Sequence, residues 1–141
     1  MANKAYASEW LQKAYHDLTA ARVLFEAGHY TDTIAYILHQ ALEKTLKSVY
    51  AYNNAPQRKT HNLLELYELM PQEIALDDEA IYLLSLATTY QTKQRYPAVP
   101  RALPPRKEIE EILSFSEGFF KRVGDLLRID LMDDEKGHDV R

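Results

Sequence analysis

The string His39-Gln40-Ala41-Leu42-Glu43-Lys44-Thr45-Leu46-Lys47 holds the densest set of residues able to do chemistry. Gln40, Glu43, Lys44 and Lys47 stand three or four positions apart, so a helix gathers them on one face. Two lysines on such a face can meet a phosphate or an acidic partner, with Glu43 positioning one of them. The same pattern also describes a solvated stripe. Glu43 precedes Lys47 by one turn, the order that stabilises a helix by roughly 0.2–0.5 kcal/mol, and spacing by itself speaks for the stripe.

A second group is Arg95-Tyr96-Pro97, with Lys93 and Arg101 nearby. Pro97 stops a helix there, because proline disfavours helical geometry in the residue before it. Arginine's planar fork suits phosphate or carboxylate, and a tyrosine ring can stack on a base. The structural reading is equally strong: Arg95 satisfies free carbonyls at the helix end, and Tyr96 packs as a lid on the core. His61, after Thr60 at a helix start, reads as a structural histidine beside a cap.

Glu-x-x-His occurs twice, from Glu26 to His29 and from Glu135 to His138, the spelling that di-iron bundles use on inward-facing helices. The first copy contains Gly28 at a helix end and the second lies in a polar tail. Neither can aim two ligands into a bundle core, so no metal or other cofactor is expected. Gly-x-Ser-x-Gly, Walker and His-Glu-x-x-His motifs are absent, which removes the usual anchors of a hydrolase or a P-loop NTPase. With no cysteine, disulfides and thiolate chemistry are excluded.

Helices must position these groups, and periodicity supplies about five. From Ser8, Leu11, Ala14, Leu18, Ala21 and Phe25 step by three and four, with Gly28 as a stop. Thr31 or Asp32 can cap a second helix with an apolar stripe of Ile34, Leu38, Ala41, Leu42, Thr45 and Val49. After a polar loop over 53–59, Thr60 or Asn62 caps a short third helix carrying Leu63, Leu66, Tyr67 and Met70. A fourth follows Asp77 or Asp78, with Ile81, Leu84, Ala87 and Tyr90 inward. The prolines from Pro97 to Pro105 keep the next segment a loop outside the core. Pro105 then suits the first turn of a last helix bearing Ile109, Ile112, Ser116, Phe119, Val123 and Leu126.

The fold class that follows is all-α, an up-and-down bundle of four or five helices, with residues 1–132 as one domain and 133–141 as a flexible acidic tail. A chain of 141 residues with 46% hydrophobic content can bury one core unaided. A net charge of −4 means that any nucleic-acid or nucleotide contact relies on a local basic cluster. The start of the chain lacks the apolar stretch of a signal peptide, and no segment reaches the roughly 20 apolar residues of a membrane span. A cytoplasmic location is expected.

Taken in order, Trp10, Ala14, Asp17-Leu18, Ala20-Ala21, the string from His39 to Lys47, Thr60-His61-Asn62-Leu63 and Arg95-Tyr96-Pro97 resemble the HEPN family, over about residues 8 to 125. The resemblance implies a helical bundle that forms two-fold dimers, often encoded beside a minimal nucleotidyltransferase, with nucleotide or RNA bound in a polar groove. Many members so resembled are metal-independent ribonucleases used as toxins, with Arg-x(4–6)-His on a late helix. This chain departs from that motif: downstream of Arg95 and Arg101 the only histidine is His138. Arg22 and His29 match the spacing, but in the wrong element. The branch in which the nucleotidyltransferase modifies a tyrosine beside that motif is weakened equally, with Tyr96 and Tyr90 kept as candidate exposed sites.

The expected function is a binding module for nucleotide, phosphate or a partner such as a minimal nucleotidyltransferase, in a toxin–antitoxin type of pair and as a homodimer. Its candidate ligand-binding residues are Gln40, Glu43, Lys44, Lys47, His61, Arg95 and Tyr96. The alternatives are a metal-independent ribonuclease with a variant site around Arg95, Tyr96 and His61, and a non-catalytic dimeric adaptor.

Overall fold

The computed structural model describes residues 2–72, 74–93 and 103–131, and among them every regular element is a helix. In chain order these are α1 (Lys4–Glu26), α2 (Thr31–Tyr52), α3 (Leu63–Glu68), α4 (Asp78–Thr88), α5 (Tyr90–Lys93) and α6 (Arg106–Leu127). The chain is thus the all-α bundle its periodicity predicts. The extra element is α5, a single turn set off from α4 at Thr89, whose N–H and Oγ1 both bond the Leu86 carbonyl, at 3.1 and 2.7 Å.

α1 starts earlier than Ser8 because Asn3 caps it, its Oδ1 accepting the Tyr6 N–H at 3.1 Å. The Asn3 N–H donates to the Tyr52 carbonyl at 2.8 Å, which joins the start of α1 to the end of α2. These two helices are therefore antiparallel, turned by residues 27–30, where Gly28 takes φ +74°. α2 begins without a side-chain cap. Tyr30 holds the N-cap position, Thr31 is already helical and buried, and Asp32 bonds the adjacent Thr33 N–H instead.

α1 and α2 form the largest interhelical contact, and α3, α4, α5 and α6 all pack on α2. The expected core residues of α1 and α2 are all buried, each large aliphatic side chain among them contributing roughly 1.5–3 kcal/mol. Because α2 is covered from several sides, its polar His39, Glu43, Thr45 and Ser48 are buried as well. Tyr50 reaches from α2 to donate to the Leu66 carbonyl at 2.9 Å, fastening α3.

Two expected inward positions are corrected. Ile81 lies at the surface, because α4 packs through its C-terminal half, by Leu83, Leu84 and Ala87. Leu126 is exposed and Leu127 is buried in its place, four residues after Val123 rather than three. Pro104 is also buried, although the run of prolines predicts a segment outside the core. α6 runs antiparallel to α1: near its start Arg106 donates to the Phe25 carbonyl, and farther along Glu117 receives both Arg22 Nε and Nη2, at 3.1 and 2.6 Å. Residues 97–102 of the proline segment and the tail over 133–141 lie outside the described residues.

Candidate functional site

Four residues apart on α2, His39, Glu43 and Lys47 occupy successive turns of one face, and the loop before α3 closes over them. The Glu43 side chain is only 8% exposed, so its charge needs partners. Oε2 accepts from Lys47 Nζ at 2.8 Å. Oε1 lies 2.9 Å from His61 Nδ1. Burial pushes the Glu43 carboxyl up, but the bonds from Lys47 and His61 outweigh it and hold the group below the usual carboxylate range.

An ionised carboxylate can only accept, so His61 Nδ1 carries the hydrogen and donates it. In the neutral ring Nε2 is then a bare lone pair, and the ring is 59% exposed. The backbone of the same residue is gripped separately, since its carbonyl lies 2.8 Å from His39 Nε2. A carbonyl also only accepts, which fixes the Nε2–H form of His39 and leaves its Nδ1 bare, 3.8 Å from Glu43 Oε1. Burial, more than any neighbouring charge, lowers the His39 pKa.

The loop has fastenings of its own. Thr60 Oγ1 accepts the Asn62 N–H at 3.1 Å, Asn62 Oδ1 caps α3 through the Glu65 N–H at 3.1 Å, and Gln57 donates to the Lys47 carbonyl at 3.3 Å. Arg58 stands beside the Tyr50 hydroxyl, and Lys59 is exposed.

The remaining candidates divide. Lys44 donates to Asp17 of α1 at 2.7 Å, and the Lys47 ammonium sits 5.6 Å from the centre of the Trp10 ring, so both lysines are engaged within the fold. Gln40 is half-buried. Arg95 and Tyr96 lie outside the described residues. Thr88 Oγ1 accepts the Leu63 N–H at 3.0 Å, which places the end of α4 beside the start of α3, two residues from His61. Tyr90 is not an exposed tyrosine: it is 2% exposed and donates to Glu108, and burial followed by that carboxylate pushes its hydroxyl above the ordinary tyrosine range.

Sequence reading does not single out His39, Asp17 or Trp10 as parts of this arrangement. His39 carries a signal, lying one turn before Glu43 in the same string; Asp17 and Trp10 stand among the residues of the family resemblance, but only the packing of α1 on α2 pairs them with the lysines. A cavity of about 850 Å3 lies elsewhere, between α1 and α6 beside Tyr15, Leu18, Val23 and Phe120.

The family model of the HEPN domain matches residues 7–126, which run through all six helices up to Leu126 of α6. The chain belongs to the HEPN family. A similar relative is MJ1304 of Methanocaldococcus jannaschii, named as a candidate toxin, 25% identical over an alignment of 140 positions that covers 89% of this chain and 91% of that one. Two crystal structures share the fold. TT1696 from Thermus thermophilus matches with a TM-score of 0.72 at 24% identity, over 84% of this chain and 96% of its own. ST0689, described as an archaeal HEPN homologue, matches with a TM-score of 0.65 at 18% identity, over 86% and 97%.

In this HEPN domain α6 contains no histidine, and Arg22 is bound to Glu117 while His29 sits in the turn after α1. No described helix is long and apolar enough to cross a membrane.

Proposed function

We propose that this HEPN domain binds a nucleotide or another phosphate-bearing ligand at the corner between α2 and α3, as one half of a toxin–antitoxin type of pair with a minimal nucleotidyltransferase. The observation that carries this reading is the bond from His61 to Glu43, which makes one site of the two motif segments, 39–47 and 60–63. His61 presents a free ring nitrogen to the ligand, and Lys59 adds positive charge in the same loop. Arg95 supplies a phosphate fork and Tyr96 a stacking surface. Lys47 and Glu43 position the imidazole, Lys44 ties the adjoining turn of α2 to Asp17, and Gln40 is a further ligand-binding candidate on that face. The name of the relative MJ1304 favours the toxin-class setting, and a homodimer is the proposed working form.

Calorimetric titration with ATP, GTP and short RNA, at low and at high salt, tests the ligand. Heat that disappears in His61→Ala and Arg95→Ala is the expected result, and no heat with any of them overturns it. Light scattering of the purified chain reads the dimer. Co-purification with a nucleotidyltransferase encoded beside it reads the partner.

A further inference from the structure

Residues 60–92 contain six Asp and Glu and no Lys or Arg, whereas the rest of the chain has 17 Lys and Arg against 15 Asp and Glu. The net negative charge of the protein therefore belongs to the one segment that forms α3, α4 and their connection. On α1, α2 and α6 the carboxylates of Asp17, Glu43 and Glu117 each hold a cation of the fold. Glu65, Glu68, Asp77, Asp78 and Glu79 are all exposed, and no ion pair joins them to a Lys or Arg among the described residues.

Helix formation accounts for part of this charge. Asp77 caps α4 through the Ala80 N–H at 2.8 Å, and Asp78 and Glu79 lie in its first turn, where the helix dipole favours them. Glu68 ends α3, where the dipole disfavours an acid.

The middle of α4 presents an apolar face outward. Ala80 to Leu84 is an unbroken apolar run, so apolar side chains surround the whole turn, the pattern of a helix covered on every side. The fold covers one side, with Leu83, Leu84 and Ala87, and leaves Tyr82 62% and Ile81 36% exposed. Asp78, Tyr82 and Ser85 follow at four and three positions, so the ring and an acid share the outer stripe.

We infer that the outer face of α4 docks a partner protein through a basic segment. An apolar side chain of that segment meets Tyr82 and Ile81, and lysines or arginines flanking it meet Asp78 and Glu79. Charge selects this occupant. Nucleic acid and anionic lipid are repelled by the segment, and a second copy placed two-fold on the same face would set acids against acids. A large, rigid, exposed tyrosine supplies the anchor such an interface is built around, and the surrounding carboxylates steer the approach. The inference needs neither the nucleotide nor the nucleotidyltransferase of the preceding proposal.

The test is fluorescence anisotropy with the full chain and two labelled helical peptides of identical composition, rich in lysine and arginine. One carries its leucines as a single stripe, and the other has them dispersed around the helix. The striped peptide should bind at least about 10-fold more tightly, and Tyr82→Ala should remove that advantage. Asp78→Asn combined with Glu79→Gln should weaken both peptides and flatten the dependence on salt. Glu110→Gln combined with Glu111→Gln, an equal change of charge at exposed positions of α6, should leave the striped peptide within about twofold of the wild type. Equal affinity for the two peptides, an advantage that survives Tyr82→Ala, or an equal loss in the α6 control overturns the proposal. A lower mass of Tyr82→Ala in light scattering assigns the face to a second copy and also overturns it, as does short RNA that binds the wild type and not Tyr82→Ala.

Discussion

His61 is held at both ends by residues one helical turn apart: Glu43 Oε1 takes its ring hydrogen at 2.9 Å, and His39 Nε2 donates to its carbonyl at 2.8 Å. Neither contact is local, since 18 and 22 positions separate the partners. The α2 face and the loop before α3 therefore form and melt together. Glu43→Gln keeps the shape but leaves Lys47 without its counter-ion, and should cost about 1–3 kcal/mol. Urea denaturation should show a lower midpoint with an unchanged slope.

Stability should fall on mild acidification, and His39 should set the upper part of that fall. Its pKa is lowered mainly by burial, so near pH 6.5 and below the unfolded chain binds a proton that the native chain does not. With more protons on the unfolded state, stability rises with pH; this contribution is complete above about pH 6.5 and lost below it. The depressed Glu43 pKa adds a second loss below the ordinary carboxylate value of about 4.3. Melting temperatures measured from about pH 8 to about pH 5 should show the first decline in the wild type and a flatter profile in His39→Gln. A flat wild-type profile would contradict the assignment.

The bidentate pair of Arg22 with Glu117 should matter less than its geometry suggests. Its side chains are 35% and 38% exposed, so solvent screens the attraction and Arg22→Met should cost under about 1 kcal/mol. Leu42→Ala, in a fully buried position of α2, should cost about 2–5 kcal/mol. Parallel urea titrations separate the two, and comparable losses would mean that the ion pair is far better shielded than its exposure indicates.

Left-handed backbone at two helix ends predicts opposite signs. Gly28 has φ +74° with open space where a Cβ would stand, so Gly28→Ala should destabilise by about 1 kcal/mol through backbone strain alone. Arg128 adopts φ +58° as the C-cap of α6, a conformation better suited to glycine. Arg128→Gly should stabilise by about 0.5–1 kcal/mol, read as a higher melting temperature.

Much of the bundle is legible from residue spacing. The stripes of α1 and α2, the caps at Asn62 and Asp77 and the stop at Gly28 are local patterns, decided within a few turns of chain. The two misplaced inward positions, Ile81 and Leu126, fall at edges of apolar faces, where the neighbouring helix selects which residue turns inward.

The site divides along the same line. Spacing alone is enough to put Gln40, Glu43, Lys44 and Lys47 on one helix face, because helical geometry leaves no other arrangement. It says nothing of what that face meets. Packing of distant segments spent Lys44 on Asp17, buried Glu43, set Lys47 beside Trp10 and brought His61 onto the carboxylate. Those pairings depend on how α1 packs and where the loop before α3 returns, and a buried charge accepts whichever partner that packing delivers.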